Sequence, residues 1–369
     1  MDTIIVNATA ARSSGALSIL NQFIDNISLS DANRYYLFVD KSFKGKEKNN
    51  IIYIPMDTKR WIKRIYWDEY ALEKWCKKHK VLPGLIISLQ NTGVKFDRCV
   101  PQLIYYHQPL PLSAYSWNVF RKKEFMLYIY KHFYSFFVNR HLHDNTSVVV
   151  QIPSIKQAFL RKFNIPEDKI HIVFPKIEKK DFSAIQNINF LDEKLHLLYP
   201  ATSFIYKNHT VLFNALHYLM LNEKEIFSKI CLHLTLNSHD NIKEYTFVKK
   251  KGITSAVKFE GNMPFDKLLC YYKSVDALLF PSFIESFGLP LLEAAEAGIT
   301  IIAADLPYAH DVVSDYEGAS FVDYEDPVAW ALAIKNVCIR KVHYSPFHYS
   351  SEKGGWNNFF KLVDQLKNS

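Results

Sequence analysis

The chain has 369 residues, which is enough for two domains with separate hydrophobic cores. Hydrophobic residues make up 49% of the sequence, so the composition indicates a globular protein and excludes a disordered one. The net charge of +8 is unevenly distributed, because residues 1–180 hold 28 Lys and Arg against 15 Asp and Glu, and the remainder holds 17 against 22. A basic first half beside an acidic second half predicts different partners for the two halves.

The first half alternates short apolar runs with amphipathic segments. Helices are predicted at 15–27, 61–79, 117–138 and 153–163. Strands are predicted at Ile4–Val6, Tyr35–Val39, Ile51–Ile54, Leu85–Leu89, Leu103–Tyr106, Val148–Val150 and Ile170–Phe174. Strands that alternate with helices indicate a parallel sheet covered on both faces. Residues 175–194 are polar without periodicity, so we expect a first domain over 1–180 and a second over 190–345.

The same alternation restarts in the second half. Helices are predicted at about 208–221, 264–272, 290–297 and 327–338, with a terminal helix from Gly355 to Leu366. Strands are predicted at Leu195–Tyr199, Cys231–Leu236, Val257–Glu260, Ala277–Phe280, Thr300–Ala303 and Ala319–Val322. The sequence therefore predicts an α/β protein with two Rossmann-like, doubly wound domains.

Cysteine spacing, the N-terminal residues and hydropathy argue against several other classes of protein. The five cysteines are scattered, without CxxC pairs or zinc-ligand spacing, so we expect a reduced, cytoplasmic protein and no metal site. Neither a signal peptide nor a membrane-spanning apolar run is evident in the sequence. Because the basic half carries no nucleic-acid-binding motif, nucleic acid is not expected as a partner.

The segment FPSFIESFGLPLLEAAEAG, at 280–298, predicts a strand end, a tight loop and a helix start. Pro290 fits the first helical turn, and Gly298 fits the helix end. The free N–H groups of a helix start favour a phosphate, and Glu285 and Glu293 on either side are able to accept hydrogen bonds from sugar hydroxyls. The pattern suits a nucleotide sugar. The alternative is an ordinary helix start, in which Glu293 complements the helix dipole and Glu285 is solvated.

This segment resembles the EX7E signature of retaining glycosyltransferases of the GT-B fold, especially glycosyltransferase family 4. The resemblance implies two Rossmann-like domains facing a central cleft, with a C-terminal helix at about 350–369 returning to the first domain. It also implies that Glu285 contacts the donor sugar and that Glu293 contacts the ribose. The residues whose backbone would contact sugar and phosphate are Ser286, Phe287, Gly288 and Leu289.

Two loops of the first half follow predicted strands, where ligands bind in open parallel sheets. Ser14 and Gly15 precede a helix start and are predicted to bind the donor, in a loop suited to a phosphate or an acceptor sugar. The resemblance identifies them with a glycine-rich family loop whose paired glycines are reduced here. His107 follows the strand Leu103–Tyr106, at a point where the family has a histidine beside the reacting sugar. We expect His107 to orient donor or acceptor, without a role as general base. Taken without the resemblance, a small-residue turn and a single histidine are more often structural.

Two loops of the second half complete the predicted donor site. Lys207 and Asn208 match the end of a family pattern G-R-x-x-x-x-K-G/N, which implies that Lys207 stabilises the diphosphate leaving group. Thr202 replaces the family arginine, which leaves one expected cation unidentified. The resemblance also implies that Met263 lies against the nucleobase, in a loop that follows the strand Val257–Glu260. No metal or other cofactor is expected, because GT-B enzymes generally bind the diphosphate without an obligatory metal.

Two basic, aromatic segments of the first half predict docking on an anionic membrane surface. They are KRWIKRIYW at 59–67 and FRKKEFMLYIYKHFYSFFVNR at 120–140. One helical stripe of the second segment carries Met126, Ile129, Phe133 and Phe137. Basic residues with Trp and Phe are typical of interfacial helices. The alternative is that the stripe is core and the charges are solvated.

The predicted function is transfer of a hexose-type sugar from a nucleoside-diphosphate sugar to a saccharide acceptor, with retention. We expect the acceptor to be lipid-linked, at the inner face of the membrane, in the synthesis of surface polysaccharide or glycoconjugate. Two alternatives stay open. A sugar-nucleotide epimerase of the same fold would convert donor without acceptor. A degenerate member would bind nucleotide sugar without turnover, an alternative that Thr202 in place of arginine favours.

Overall fold

The computed structural model describes residues 2–12, 14–28, 32–176, 180–347 and 355–368, without the side chains of Ser14 and Lys123. The chain divides into two compact units. Unit 1 comprises Met1–Ile177 and Ser350–Ser369, and unit 2 comprises Glu178–Tyr349. In the described ranges, no helix combines the length and apolar character needed to cross a bilayer.

In the described part of unit 1, seven strands form one parallel sheet in the order β3-β2-β1-β4-β5-β6-β7. They are β1 Thr3–Ala8, β2 Arg34–Asp40, β3 Ile51–Met56, β4 Leu85–Ser88, β5 Gln102–Tyr105, β6 Thr146–Val150 and β7 Ile170–Ile172. The central strands are buried on both faces, which explains their continuous apolar runs. The strand order reverses between β1 and β4, and the carboxyl ends at such a switch point are the usual place for a ligand.

The helices of unit 1 differ from the sequence prediction at two points. They are α1 Ser14–Asn26, α2 Trp61–Tyr66, α3 Leu72–His79, α4 Lys122–Arg140 and α5 Pro153–Lys162. A π-helical turn, Trp67–Ala71, joins α2 to α3, so the helix predicted at 61–79 is not uniform. The prediction that a helix begins at 117 is wrong. Glu124 holds the preceding segment out of the helix by accepting the backbone N–H of Asn118 at 2.8 Å and pairing with Arg121 at 3.1 Å.

The last helix, α13 Gly355–Lys367, belongs to unit 1. Trp356 and Phe359 pack against Phe23 of α1, with ring centroids 5.9 and 6.0 Å apart. Trp356 also stacks on Tyr105 of β5 at 5.7 Å, and its indole N–H donates to Gln22 Oε1 at 2.9 Å. Trp356 and Phe359 are both buried. A helix that follows unit 2 in the sequence therefore completes the core of unit 1.

In the described part of unit 2, six strands form a second parallel sheet in the order β10-β9-β8-β11-β12-β13. They are β8 Leu195–Tyr199, β9 Ile230–Leu234, β10 Val257–Phe259, β11 Ala277–Phe280, β12 Thr300–Ala304 and β13 Ala319–Val322. The order reverses between β8 and β11. The carboxyl ends of these two neighbouring strands therefore form the switch point of unit 2.

The helices of unit 2 include three that the sequence prediction missed: α7, α8 and α11. The set is α6 His209–Asn222, α7 Lys224–Ser228, α8 Ile242–Lys250, α9 Phe265–Ser274, α10 Leu289–Glu296, α11 Pro307–Val313 and α12 Pro327–Ile339. α8 buries Val248 and otherwise carries polar or partly exposed residues, so its apolar periodicity is weak. α7 and α11 span only five and seven residues, too few for a periodic signal.

Candidate functional site

The loops that follow β8 and β11 are hydrogen-bonded to each other at the switch point of unit 2. The backbone N–H of Phe283 donates to the carbonyl oxygen of Tyr206 at 2.9 Å. The Ser282 hydroxyl donates to the same carbonyl at 3.3 Å. The two loops therefore hold each other in place, although Tyr206 and Ser282 are 76 positions apart in the sequence.

Lys207 and Glu285 form an ion pair between these loops. Lys207 Nζ donates to Glu285 Oε1 at 2.5 Å, and the two side chains are 18% and 13% exposed. The hydroxyl of Tyr199, at the end of β8, donates to the backbone carbonyl of Lys207. Burial, and after it the charge of Glu285, raise the pKa of Tyr199 well above its usual value, so this hydroxyl stays a donor. The pair places a cation and a carboxylate side by side at the switch point.

Asn208 fixes the position of Lys207. It has φ +56°, in the left-handed region, and directly precedes α6. Its side-chain amide donates to the carbonyl of Tyr324 at 2.7 Å and to that of Pro281 at 3.4 Å. Asn208 thereby connects the loops after β8, β11 and β13, while its contact with a donor stays a prediction.

The start of α10 depends on Gly288. This residue has φ +93°, which favours glycine, and a Cβ there would approach Leu291 Cδ1 to 3.2 Å. The Tyr308 hydroxyl, on α11, donates to the carbonyl of Ser282 at 2.6 Å and supports the loop from the other side. The first N–H groups of a helix lack intrahelical acceptors, so this end of α10 is suited to an anion.

Glu293, in α10, is half-buried beside Tyr272 and Lys180. Burial raises the pKa of Glu293, and a hydrogen bond from Tyr272 and the charge of Lys180 act in the opposite direction. Lys180 Nζ also lies 5.3 Å from the centroid of the Phe265 ring. Lys180 is thus a second cation near α10. Lys180 was not predictable from the sequence, because nothing distinguishes it from the other lysines of the polar stretch 175–194.

The remaining predicted residues of unit 2 lie at the same edge of the sheet. Thr202 is exposed in the loop after β8. Met263 is half-buried in the loop after β10, where Gly261 has φ +76° and its N–H donates to the carbonyl of Leu236 at 3.0 Å. The rings of Phe204 and Tyr206 stack with centroids 5.3 Å apart, and Phe204 is exposed.

In unit 1, His107 lies just beyond the carboxyl end of β5. Its backbone N–H donates to Asn91 Oδ1 at 2.5 Å, and its ring Nε2 lies 3.3 Å from the Asn91 amide nitrogen. Burial lowers the pKa of His107 to about 4, although a contact with the Leu89 carbonyl opposes the shift. The ring is therefore neutral at pH 7. Ser14 begins α1, and Gly15 is exposed with open space where a Cβ would stand.

A cavity of about 540 Å³ opens in unit 1 between α2, the π-helical turn, α4 and the loop after β4. Its polar floor contains Asp68. The Asp68 carboxylate accepts hydrogen bonds from Asn7 Nδ2 at 2.8 Å and from Gln90 Nε2 at 3.0 Å. Burial raises the pKa of Asp68 to about 7, although these hydrogen bonds act to lower it. Asn7 lies on β1 and Gln90 follows β4, so the cavity floor lies at the switch point of unit 1. Asp68 was not among the residues predicted from the sequence.

The walls of this cavity are apolar and continue onto the surface of unit 1. Trp61 and Phe133 meet edge to face with centroids 5.7 Å apart, yet they are 54% and 46% exposed. Met126 and Ile129 also line the cavity and are 63% and 39% exposed. The predicted stripe of α4 is therefore largely an exposed surface and not closed core.

Residues 181–344 match the family model described as glycosyl transferases group 1. The match spans almost the whole of unit 2, which is thus similar to a glycosyltransferase group 1 domain. The chain is 24% identical over 211 residues to the O-antigen chain mannosyltransferase RfbU of Salmonella typhimurium, a match that covers 57% of this chain and 56% of that protein. The chain thus spans about half the length, or less, of the curated relatives that it matches.

Solved structures resemble the chain over its whole length. Sucrose-phosphate synthase from Thermosynechococcus elongatus has a TM-score of 0.66 at 14% identity, covering 100% of this chain and 98% of the synthase. Anabaena HepE, solved in complex with UDP and glucose, has a TM-score of 0.63 at 12% identity and covers 100% of both chains. These likenesses confirm the predicted GT-B fold of two parallel α/β units.

Unit 2 brings Lys207 and Glu285 into contact, holds Asn208 against the carbonyl of Pro281, and places Gly288 at the start of the adjoining helix. Ser286, Phe287 and Leu289 belong to the same loop and helix start. Ser14, Gly15 and His107 belong to unit 1. The roles of all these residues, and those of Glu293 and Met263, stay predictions.

Proposed function

We propose that the protein is a retaining glycosyltransferase, similar to family 4, that moves a hexose-type sugar from a nucleoside-diphosphate sugar to a saccharide acceptor. The observation that carries this proposal is the Lys207–Glu285 pair beside the start of α10. A nucleotide sugar presents an anionic diphosphate next to neutral hydroxyl groups. A lysine and a helix start are suited to the diphosphate, and an adjacent carboxylate is suited to the hydroxyl groups.

In the proposed reaction, the bond between the anomeric carbon and the phosphate oxygen breaks and negative charge develops on the diphosphate. Lys207 and the N–H groups at the start of α10 stabilise that charge. Glu285 accepts hydrogen bonds from the sugar hydroxyls and orients the ring. The acceptor oxygen bonds to the anomeric carbon on the face that the phosphate leaves, and the departing phosphate oxygen takes the acceptor's proton. This front-face attack would retain the anomeric configuration.

Lys180 is our candidate for the cation that Thr202 does not supply. Its charge acts on Glu293, which lies in the middle of α10 and which we propose as the ribose contact. A lysine there would neutralise the diphosphate from a different part of the chain. Lys180 also precedes the region that matches the family model, which begins at residue 181.

The donor experiment is a thermal-shift panel of uridine, guanosine and adenosine diphosphate sugars on the full chain. A ligand at 100 times its dissociation constant adds about 2.7 kcal/mol of stability, which is readily detected. The donors that bind are then incubated with and without saccharide acceptors. Consumption that requires acceptor supports the proposal. Conversion without acceptor supports an epimerase, and binding without conversion supports a degenerate protein. A chain that binds none of the nucleotide sugars contradicts the proposed donor site.

We further propose a lipid-linked acceptor and a peripheral position at the inner face of the membrane. The support is the exposed aromatic surface of α2 and α4, the apolar cavity beneath it and the net charge of +13 over residues 1–180. Aromatic side chains interleaved with Lys and Arg suit the interface of an anionic bilayer. One relative is named for O-antigen chain synthesis, which agrees with a saccharide acceptor of this kind.

Liposome co-sedimentation tests this second part separately. Binding should rise with the fraction of anionic lipid and fall as salt screens the charges. It should weaken when Lys59, Arg60, Lys63 and Arg64 are replaced by Ser. The matched control removes the same charge from exposed positions of unit 2, by Ser at Lys224, Lys243, Lys249 and Lys250. Equal loss in both variants, or no sedimentation at low salt, would leave a soluble acceptor as the better interpretation.

A further inference from the structure

Two histidines and a cysteine form a buried cluster in unit 2 that the proposed donor site does not use. His196 lies on β8, and the parallel ladder pairs it with Cys231 of β9. His233 follows two positions later on β9, so its side chain points to the same face of the sheet as that of Cys231. The three residues are 4%, 1% and 1% exposed, and their ligand atoms all lie within 4.8 Å of one another.

Two carboxylates face the outer nitrogens of the histidine rings. His196 Nε2 lies 2.8 Å from Asp192 Oδ1, and His233 Nδ1 lies 2.7 Å from Glu260 Oε1. The inner nitrogens, His196 Nδ1 and His233 Nε2, lie 2.9 Å apart. A neutral imidazole carries a single N–H. His233 Nδ1 is hydrogen-bonded to Glu260, whereas His196 Nε2 has no hydrogen-bond partner of good geometry even though Asp192 Oδ1 lies 2.8 Å away. When both rings carry their N–H on the outer nitrogen, the two inner nitrogens turn bare lone pairs toward each other, and a positive charge between them offsets the repulsion.

We infer that unit 2 binds a divalent metal ion with the ligand preference of Zn²⁺, through His196 Nδ1, His233 Nε2 and Cys231 Sγ. Two imidazoles and a thiolate are a typical zinc donor set. A carboxylate on the far nitrogen of a metal-bound histidine is the usual outer partner, because it fixes the tautomer and the ring orientation. Two nitrogens on one tetrahedral zinc lie about 3.3 Å apart, so the rings need to separate by only about 0.4 Å.

The surroundings favour a closed, structural site over a catalytic one. Phe190 stacks on the His196 ring with centroids 3.7 Å apart, and Tyr271 packs against His233 at 5.3 Å. Asp192 and Glu260 face the outer nitrogens and therefore orient the two rings without acting as ligands themselves. Glu260 also begins the loop that carries Met263. A metal here would therefore fix the loop that we propose to lie against the nucleobase.

A proton between the two rings is the competing explanation, because with one inner nitrogen protonated the 2.9 Å contact is an ordinary N–H···N hydrogen bond. The two explanations differ at Cys231. A shared proton makes no use of the thiol, whereas a metal ion takes it as its third ligand. Cobalt distinguishes them, because a cobalt–thiolate bond has a charge-transfer absorption in the near ultraviolet.

The experiment strips the full chain with a chelator and titrates it with Co²⁺ alone. We expect one equivalent to bind with a charge-transfer band, and Zn²⁺ to displace it and raise Tm. Cys231→Ser should abolish the band, and Glu260→Gln should weaken binding about 10- to 100-fold. Cys270→Ser, a half-buried cysteine of the same unit, is the control and should retain the band.

Two results would overturn the inference. The first is a wild-type chain that shows neither band nor Tm shift, which leaves the shared proton as the explanation. The second is a band that survives Cys231→Ser, which shows adventitious cobalt elsewhere. Neither result depends on transferase activity, so the metal site and the proposed function fail separately.

Discussion

Replacing Lys207 by alanine is the sharpest test of the donor site, because it removes the cation from a pair whose burial is known. Exposed ion pairs contribute about 0.2–1 kcal/mol, and breaking a fully buried pair costs about 3–5 kcal/mol. The Lys207 and Glu285 side chains are 18% and 13% exposed, so the cost of breaking their pair should lie between these two energies. We therefore expect Lys207→Ala to lower the free energy of unfolding by about 2 kcal/mol, with Glu285 left unpaired.

The effect on ligand binding is separate from that on folding. A hydrogen bond to a charged group contributes about 1.5–3 kcal/mol, so the Kd for a nucleoside diphosphate should rise about 10- to 150-fold. Glu285→Gln should act differently. It should lower kcat by about 100-fold, the scale for one lost preorganised contact, and leave the Kd for the nucleoside diphosphate unchanged or lower. The lysine would then have no competing carboxylate.

Calorimetric titration with nucleoside diphosphates measures the change in Kd. The rate at which nucleoside diphosphate is released from the nucleotide sugar measures the change in kcat. Lys229→Ala is the matched control, because it breaks a pair of similar length, 2.7 Å to Glu225, whose side chains are 53% and 83% exposed. It should change neither Kd nor kcat. A Lys207→Ala variant that binds and turns over like the wild type would refute the proposed role of the β8 loop.

Three further predictions concern single positions. Thr202→Arg adds a cation at an exposed position, so Tm should stay constant while the Kd for nucleoside diphosphate falls; a weaker complex would count against the site. Gly288→Ala places a side chain at φ +93°, which should lower the free energy of unfolding by about 1–2 kcal/mol and also lower kcat/KM. Gly15→Ala is the control. It has open space at its Cβ and should leave Tm unchanged. Because burial raises the pKa of Asp68 to about 7, the folded chain holds that proton more tightly than the unfolded chain, and its stability falls as pH rises from about 4 to 7. Asp68→Asn should therefore raise Tm more at pH 8 than at pH 5; an equal shift at both values would contradict the pKa.

The strands were predictable because parallel strands buried on both faces are continuous apolar runs. Each predicted strand overlaps a strand of the structure, as Ala277–Phe280 does with β11. Helices were predictable where an apolar stripe or a proline start is present, as in α12, which begins at Pro327. They were missed where the chain is polar, as in α8, or short. The π-helical turn at Trp67–Ala71 has no sequence signal, since it depends on the burial of Trp67 and Glu69 in tertiary contacts.

The candidate site was predictable only as far as its motif extends. The segment 280–298 indicated both carboxylates, and Lys207 came from the resemblance. Contacts between residues distant in the sequence were not predictable. Asp68 acquires its raised pKa from burial in a cavity, and His196 meets Cys231 only because β8 and β9 are neighbours in the sheet. Linear spacing between 196 and 231 carries no such signal, which is why the sequence indicated no metal site.

The packing of α13 on unit 1 has a consequence for synthesis of the chain. During translation the whole of unit 2 emerges before Gly355–Lys367, so unit 2 has all its strands while unit 1 still lacks a helix. Until that helix arrives, Phe23 and Tyr105 have no Trp356 to pack against, and an aromatic surface of unit 1 stays open to solvent and to chaperones. Domains generally fold in the order of their synthesis. Here the unit that is begun first is the one completed last.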